Sequence, residues 1–206
     1  MAEITVQDIQ QLRQDAGVGM MDAKRALVET GGNAEAALEM LRDKGLLQVA
    51  KRAERTAHHG TVGHYVHVQQ GRAVAGVLVD LACETDFVAK SDEFVEVAND
   101  IALHISWGKP VWVDRSEVSG ADLDVKRQEF AAEAREEGKP DNLIDKIVEG
   151  KVEKYLKDSS LVEQPFVNPD KFDGTVGDMV TRLAAKMGEN ITVRRFARIA
   201  VGEDAE

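Results

Sequence analysis

A single cysteine, four prolines and an aromatic content of 5% leave this 206-residue chain short of the material for several common architectures. One thiol, Cys83, makes no intrachain disulfide and excludes structural zinc sites built from several thiolates. No apolar run approaches the roughly 20 residues of a membrane-spanning helix, so no membrane partner is expected. Positive charge is scarce as well: 26 Lys and Arg face 37 Asp and Glu, a net charge of -11. Such a balance repels phosphate backbones and argues against direct binding of nucleic acid through a broad basic surface. The opening MAEITVQDIQ fits neither a secretory signal nor an Arg-rich transit peptide, and a cytoplasmic protein is expected. Also missing are a GxxxxGK[ST] phosphate loop, a dinucleotide fingerprint, an HExxH helix and a GxSxG elbow. Neither a cofactor nor covalent catalysis is therefore expected.

What remains, 43% hydrophobic and 31% charged residues, is the composition of an ordinary globular protein. The patterning predicts an α+β fold in three parts: residues 1–45 as a small three-helix domain, 46–60 as a linking helical segment, and 61–206 as an α+β core with an antiparallel sheet. Thr5 and Asp8 are placed to cap the first helix, with Ile4 and Ile9 as a hydrophobic staple. Val6, Ile9 and Leu12 would share its inner face. DAGVG (Asp15–Gly19) breaks that helix, and Gly31 and Gly32 end the second. Asn33 opens a third, with Ala34, Ala37, Leu38 and Leu41 at helical spacing and Gly45 just beyond its end.

From Gly60 the period changes. TVGHYVHV, QQGR and AVAGVLVDLAC read as a β-hairpin about a Gly-containing turn. The second strand looks apolar on both faces near Val77 to Val79, as a strand covered by helices would be. Ser91 can cap a helix carrying Phe94, Ala98, Ile101 and Ile105 on one face. A short extended piece, PVWV, precedes two charged helices, about Ala121–Glu137 and Pro140–Tyr155. Thr175 and Asp178 start a further helix, with Val176, Val180, Leu183 and Met187 inward and Gly188 at its close. NITVRRFARIAVG then alternates as a strand, with Ile191, Val193, Ala197, Ile199 and Val201 on one face and Arg194 and Arg198 on the other. The tail EDAE should be loose.

Three groups of residues bear on chemistry. His64 and His67 are an odd number of residues apart and point to opposite faces of a strand, so solvated or partly buried histidines are expected rather than a metal site. Met20 and Met21, adjacent at a helix entry, either fill a small core or offer flexible thioethers to a partner, with Arg13 as a polar edge. ETDFVAK lies between the buried strand and the next helix. There Phe87 either packs inward beside a capping Asp86, or anchors a partner's pocket with Asp86 and Lys90 as polar flanks.

GVGMMDAKRAL and CETDFVAKSDEF, followed in order by EGKPDNLIDKIVEGKVEKYLKDSSLVEQPFV, TVGDMV and MGENITVRRFARI, resemble the bacterial translation elongation factor Ts family. The resemblance covers nearly the whole chain. It implies a helical N-terminal domain similar to ubiquitin-associated domains, and guanine-nucleotide exchange on elongation factor Tu, in its GDP-bound and nucleotide-free states, without covalent chemistry. It further implies that Arg13, Met20 and Met21 contact the partner's nucleotide-binding domain, while Thr85, Asp86, Phe87 and Val88 form a wedge at its Mg²⁺ and nucleotide site. Short members of the family associate as dimers of one-to-one complexes, so a homodimer is an expected partner too. The competing expectation is a small binding protein without exchange activity, and a histidine-dependent metalloenzyme stands third.

Overall fold

The computed structural model describes residues 4–16 and 20–203. Gly17–Gly19, where the sequence reading breaks the first helix, and the last three residues of the tail lie outside the described residues. Three helices come first: α1 (Val6–Ala16), α2 (Met20–Glu29) and α3 (Ala34–Arg52). Thr5 and Asp8 cap α1 reciprocally, the Asp8 amide donating to Thr5 Oγ1 and the Thr5 amide to Asp8 Oδ2. Ile9, Leu12, Ala23, Ala26, Leu27, Ala37 and Leu41 form a small buried cluster, with Ile4 packed against it. Val6 is exposed, because the inward stripe is already filled by Ile9 and Leu12 one and two turns on.

The helix end expected at Gly45 is not there, and α3 runs on to Arg52. A glycine inside a helix costs about 1 kcal/mol relative to alanine. Here it also allows a close approach: a Cβ at Gly45 would lie 3.6 Å from Ala185 Cβ, on α8 (Val176–Met187). The second half of α3 thus leaves the helical cluster and packs on the core.

The core is built on a three-stranded antiparallel sheet in the order β1 (His59–Gln69), β2 (Arg72–Cys83), β3 (Thr192–Ala200). Gln70 and Gly71 join β1 to β2 with positive φ at both positions, 51° and 78°, the hand that matches the strand twist. On the inner face Leu81, Val79 and Val77 meet α5 (Asp92–Gly108), whose Phe94, Ala98, Ile101 and Ile105 are fully buried. α8 closes the same core with Val176, Val180 and Leu183, and Met187 is partly buried there. Thr175 and Asp178 form the reciprocal cap at its start, and Gly188 ends it at φ 73°.

Two expectations about faces are corrected. β2 is covered on one side only, since Leu78 is 55% exposed between Val77 and Val79, which are buried. In β3, Asp80 pairs with Arg195 but Leu81 pairs with Val193, so Arg194 is an extra residue. That bulge reverses the alternation. Phe196 and Arg198 turn inward, while Ala197 and Ile199, expected beside Val193, face solvent with Ile199 78% exposed. The outer face consequently carries Val66, Gly76 and Ile199 in one paired row and His64, Leu78 and Ala197 in the next.

Between α5 and α8 the chain makes an arm of two helices, α6 (Gly120–Glu136) and α7 (Asp141–Ser159). Ala134, Ile144, Val148 and Val152 give it a core of its own. α7 ends a turn later than the sequence pattern suggested, at Ser159 rather than near Tyr155. At the base, residues 111–113 lie beside 159–162: the Leu161 amide donates to Trp112 O at 2.9 Å and the Val162 amide to Val113 O at 3.1 Å. Arg115 spans the junction, bonded to Glu153 and Glu163.

His104, buried in α5, ties the loop after the arm to the core. Val167 N–H donates to its Nδ1 at 3.2 Å, which leaves Nε2 to donate to Gln164 Oε1 at 2.8 Å. Both ring nitrogens are used by the neutral form, and burial holds the pKa below the usual imidazole value. The unfolded chain therefore binds the proton more readily, and stability is full above about pH 6.5 and falls as the pH drops from there toward the folded-state value. Urea midpoints taken at pH 7.5 and pH 5.0 should show this loss in the parent and less of it in His104→Gln.

Candidate functional site

Three chain junctions meet at one end of the sheet because its strands are antiparallel: the start of β1, the end of β2 and the start of β3. The partner of Cys83 is His59, and that of Ala82 on the other side is Thr192. The stretch between β2 and α5 emerges there, folded as α4 (Asp86–Ala89).

Thr85, not Asp86, is the N-cap of α4. Its side chain accepts from the Val88 amide at 3.4 Å. That choice sets the rotation of the turn: Val88 and Ala89 point into the core, and Phe87, about 100° around from Val88, points out. Phe87 is 83% exposed, more than any other large apolar residue described. Asp86 is also on the surface, paired with Lys90 at 2.7 Å, which holds its carboxyl below the usual range. Ser91 stands at the N-cap of α5 as expected, yet its hydroxyl turns back to Val88 O at 2.8 Å and closes the α4 turn instead.

Of the four residues predicted for a wedge, two are therefore outward, Asp86 and Phe87. Val88 is part of the core, and the Thr85 side chain is engaged within the chain. Thr85 Oγ1 donates to Glu189 Oε1 at 2.6 Å, and the amides of Glu84 and Thr85 both donate to Glu189 Oε2, at 2.9 and 3.1 Å. Next to it, the Asn190 amide donates to Glu84 Oε1 at 2.7 Å, and Asn190 Nδ2 donates to Arg55 O at 2.7 Å and to Ala53 O at 3.3 Å. Arg55 also approaches Glu84 Oε1 at 3.5 Å. The sequence reading missed Glu189 and Asn190. Both stand in the quoted motif MGENITVRRFARI, which gave neither of them a role.

Arg13, Met20 and Met21 lie on the first three-helix cluster, apart from α4. All three are exposed, Met21 by 70%, because Ala23, Ala26 and Leu27 take the inward positions of α2. Cys83 is fully buried, its thiol donating to Thr85 O at 3.1 Å, and burial pushes its pKa up to about 11. A thiol so protonated is a poor nucleophile. His64 faces the open side of the sheet, while His67 lies inward within reach of Tyr65 and Trp107. Among the described residues no group of three or more His, Cys, Asp or Glu is arranged to hold a metal ion. None of the described helices is long and apolar enough to cross a membrane.

A family model described as Elongation factor TS matches residues 44–173, more than half of the chain and all of the α4 region. The chain belongs to the elongation factor Ts family. Relatives bearing the name Elongation factor Ts match it almost from end to end. That of Desulforamulus reducens is 45% identical over 206 residues, all of this chain and 93% of the relative. That of Carboxydothermus hydrogenoformans is 49% identical over 201 residues, 97% of this chain and 90% of the relative. In Nitratidesulfovibrio vulgaris the relative is 42% identical over 201 residues, 98% of both chains. As a member of the elongation factor Ts family, the chain is a translation elongation factor. Met20 and Met21 on one side, and Glu189 and Asn190 on the other, fall outside the family model's span but within that of the first relative.

Proposed function

We propose that this chain is a guanine-nucleotide exchange factor for elongation factor Tu, acting in the cytoplasm where translation proceeds. The observation that carries the proposal is Phe87, an aromatic ring held almost wholly in water on a short turn pinned at both ends. Folding gains nothing from a ring so placed, whereas a partner's pocket gains its whole apolar area. Exchange is linkage: a factor that binds the empty partner more tightly than the GDP-loaded one weakens GDP binding by the same factor. Phe87 inserted between helices of the partner, with Asp86 released from its exposed pair with Lys90 to compete for groups around Mg²⁺, supplies that difference. No bond in GDP is broken, and GTP later displaces the factor. Arg13, Met20 and Met21 on the N-terminal helices supply a second contact to the partner's nucleotide-binding domain, and Thr85 and Val88 hold the wedge in place.

The test is release of fluorescent GDP from elongation factor Tu in excess unlabelled GDP, with and without this chain. Acceleration is expected. Its absence would leave a binding protein without exchange activity in front. Pairing of two copies across the open sheet face belongs to the same proposal, supported by the row Val66, Gly76 and Ile199 and its neighbour Leu78. Light scattering should then give twice the chain mass of 22.6 kDa.

A further inference from the structure

A wedge acts only if it does not yield when pressed against a partner, and α4, a single turn, has little stiffness of its own. Its rigidity has to come from elsewhere. Cys83 closes the stretch from one side and Val88 from below, but the two peptide groups leading into the turn, those of Glu84 and Thr85, would otherwise have free donors. One carboxylate takes both of them and the Thr85 hydroxyl as well, three bonds converging on Glu189. The adjacent residue faces the other way. Asn190 holds the carbonyls of Ala53 and Arg55, in the strap that joins α3 to β1, and its own amide bonds the Glu84 carboxylate.

We propose that Glu189 and Asn190 form a positioning clasp: Glu189 fixes the wedge, and Asn190 fixes the strap that carries the N-terminal helices, both against the turn between α8 and β3. This rests on the exchange reading. The two residues act on different quantities. A wedge freed from Glu189 docks with the same outer surface but is less able to displace the partner's helices, so the maximal rate of GDP release falls. A strap freed from Asn190 leaves the wedge intact and leaves the N-terminal helices held only by the packing of α3 on α8, which widens their range. That lowers the effective concentration of the second contact and raises the factor concentration needed for half-maximal release.

The experiment measures GDP release from elongation factor Tu across a range of factor concentrations, together with amide hydrogen exchange of the free factor. Glu189→Ala should lower the maximal rate about 10-fold, the worth of a charge-assisted cluster, and speed exchange at the Glu84 and Thr85 amides while the β2 and α5 amides stay protected. Glu189→Gln keeps an acceptor for both amides and a donor toward Thr85 Oγ1, and should recover most of the rate. Glu189→Asp, which keeps the charge but draws the carboxylate back by one methylene from the three donors, should reproduce the loss if Glu189→Ala does not fold. In a Phe87→Ala background Glu189→Ala should add less than about twofold, because it acts through the ring. Asn190→Ala should raise the half-saturating concentration about threefold at an unchanged maximal rate. Unchanged protection at Glu84 and Thr85, additivity with Phe87→Ala, or both residues altering the same kinetic quantity would overturn the clasp. Amide protection is read on the free factor, so it decides the clasp even where the parent fails to release GDP.

Discussion

Phe87→Ala is expected to slow factor-stimulated GDP release from elongation factor Tu by about 30-fold or more while leaving the fold untouched. Truncating a central aromatic anchor at an interface commonly costs about 2 kcal/mol or more, and each 1.4 kcal/mol is a factor of ten. The same truncation in the free protein removes a side chain that is 83% exposed and contributes no core contact, so stability should stay within about 0.5 kcal/mol. Release rates and thermal midpoints measured on the same preparations separate the two effects. Release at the parent's rate by a folded Phe87→Ala protein would move the mechanism to other contacts.

The largest effect on stability should come from adding one methyl group. Gly63 in β1 lies where α5 crosses the sheet, and a Cβ there would sit 2.3 Å from Ala98 O and 2.4 Å from Ala98 C. Both are backbone atoms of a helix anchored by Phe94, Ile101 and Ile105, and the next residue along β1 reinforces the contact, since His64 N–H donates to Asn99 Oδ1 at 2.9 Å. Neither partner can rotate aside. Overpacking usually costs about 1–3 kcal/mol, and a clash between two backbones belongs at or above the top of that range. Gly63→Ala should therefore lose about 3 kcal/mol or more, roughly 10 °C in thermal midpoint for a chain of this size. Gly120, at the start of α6, makes the control. A Cβ there meets nothing within 4 Å, and Gly120→Ala should change the midpoint little. Equal effects at the two glycines would mean that the α5 crossing does not set the packing.

Where one stretch of sequence carried both the pattern and its partner, the structure could be read from it. Gly71 announced the β-hairpin, Thr175 and Asp178 announced the start of α8, and Phe94 to Ile105 announced the buried face of α5. The failures share a cause, which is that the deciding contact comes from a distant part of the chain. Gly45 looks like a helix end until Ala185 is brought against it. The alternation of β3 is right in period, but one extra residue at Arg194, visible only once β3 pairs with β2, turns Ile199 outward and Phe196 inward. Leu78 reads as a core residue because nothing local says that only one side of the sheet is covered. In the candidate site, the motif gave the position of the junction, whereas the direction of Phe87 hung on whether Thr85 or Asp86 capped the turn. The role of Glu189 was invisible for the same reason, since it lies more than a hundred residues from the amides it holds.

The α6 and α7 arm has a consequence for how the molecule comes apart. Its buried apolar cluster is internal, with Tyr155 reaching out to Trp112 at the base, and its two ends are stitched together at Trp112 and Leu161 before they reach the sheet. Melting the arm turns some forty residues into a loop whose ends stay closed, at the loss of base contacts such as Arg115 to Glu153 and Trp112 to Tyr155 but of none within the sheet. The arm is thus a cooperative unit of its own, which can open and reclose while the sheet and α4 remain in place.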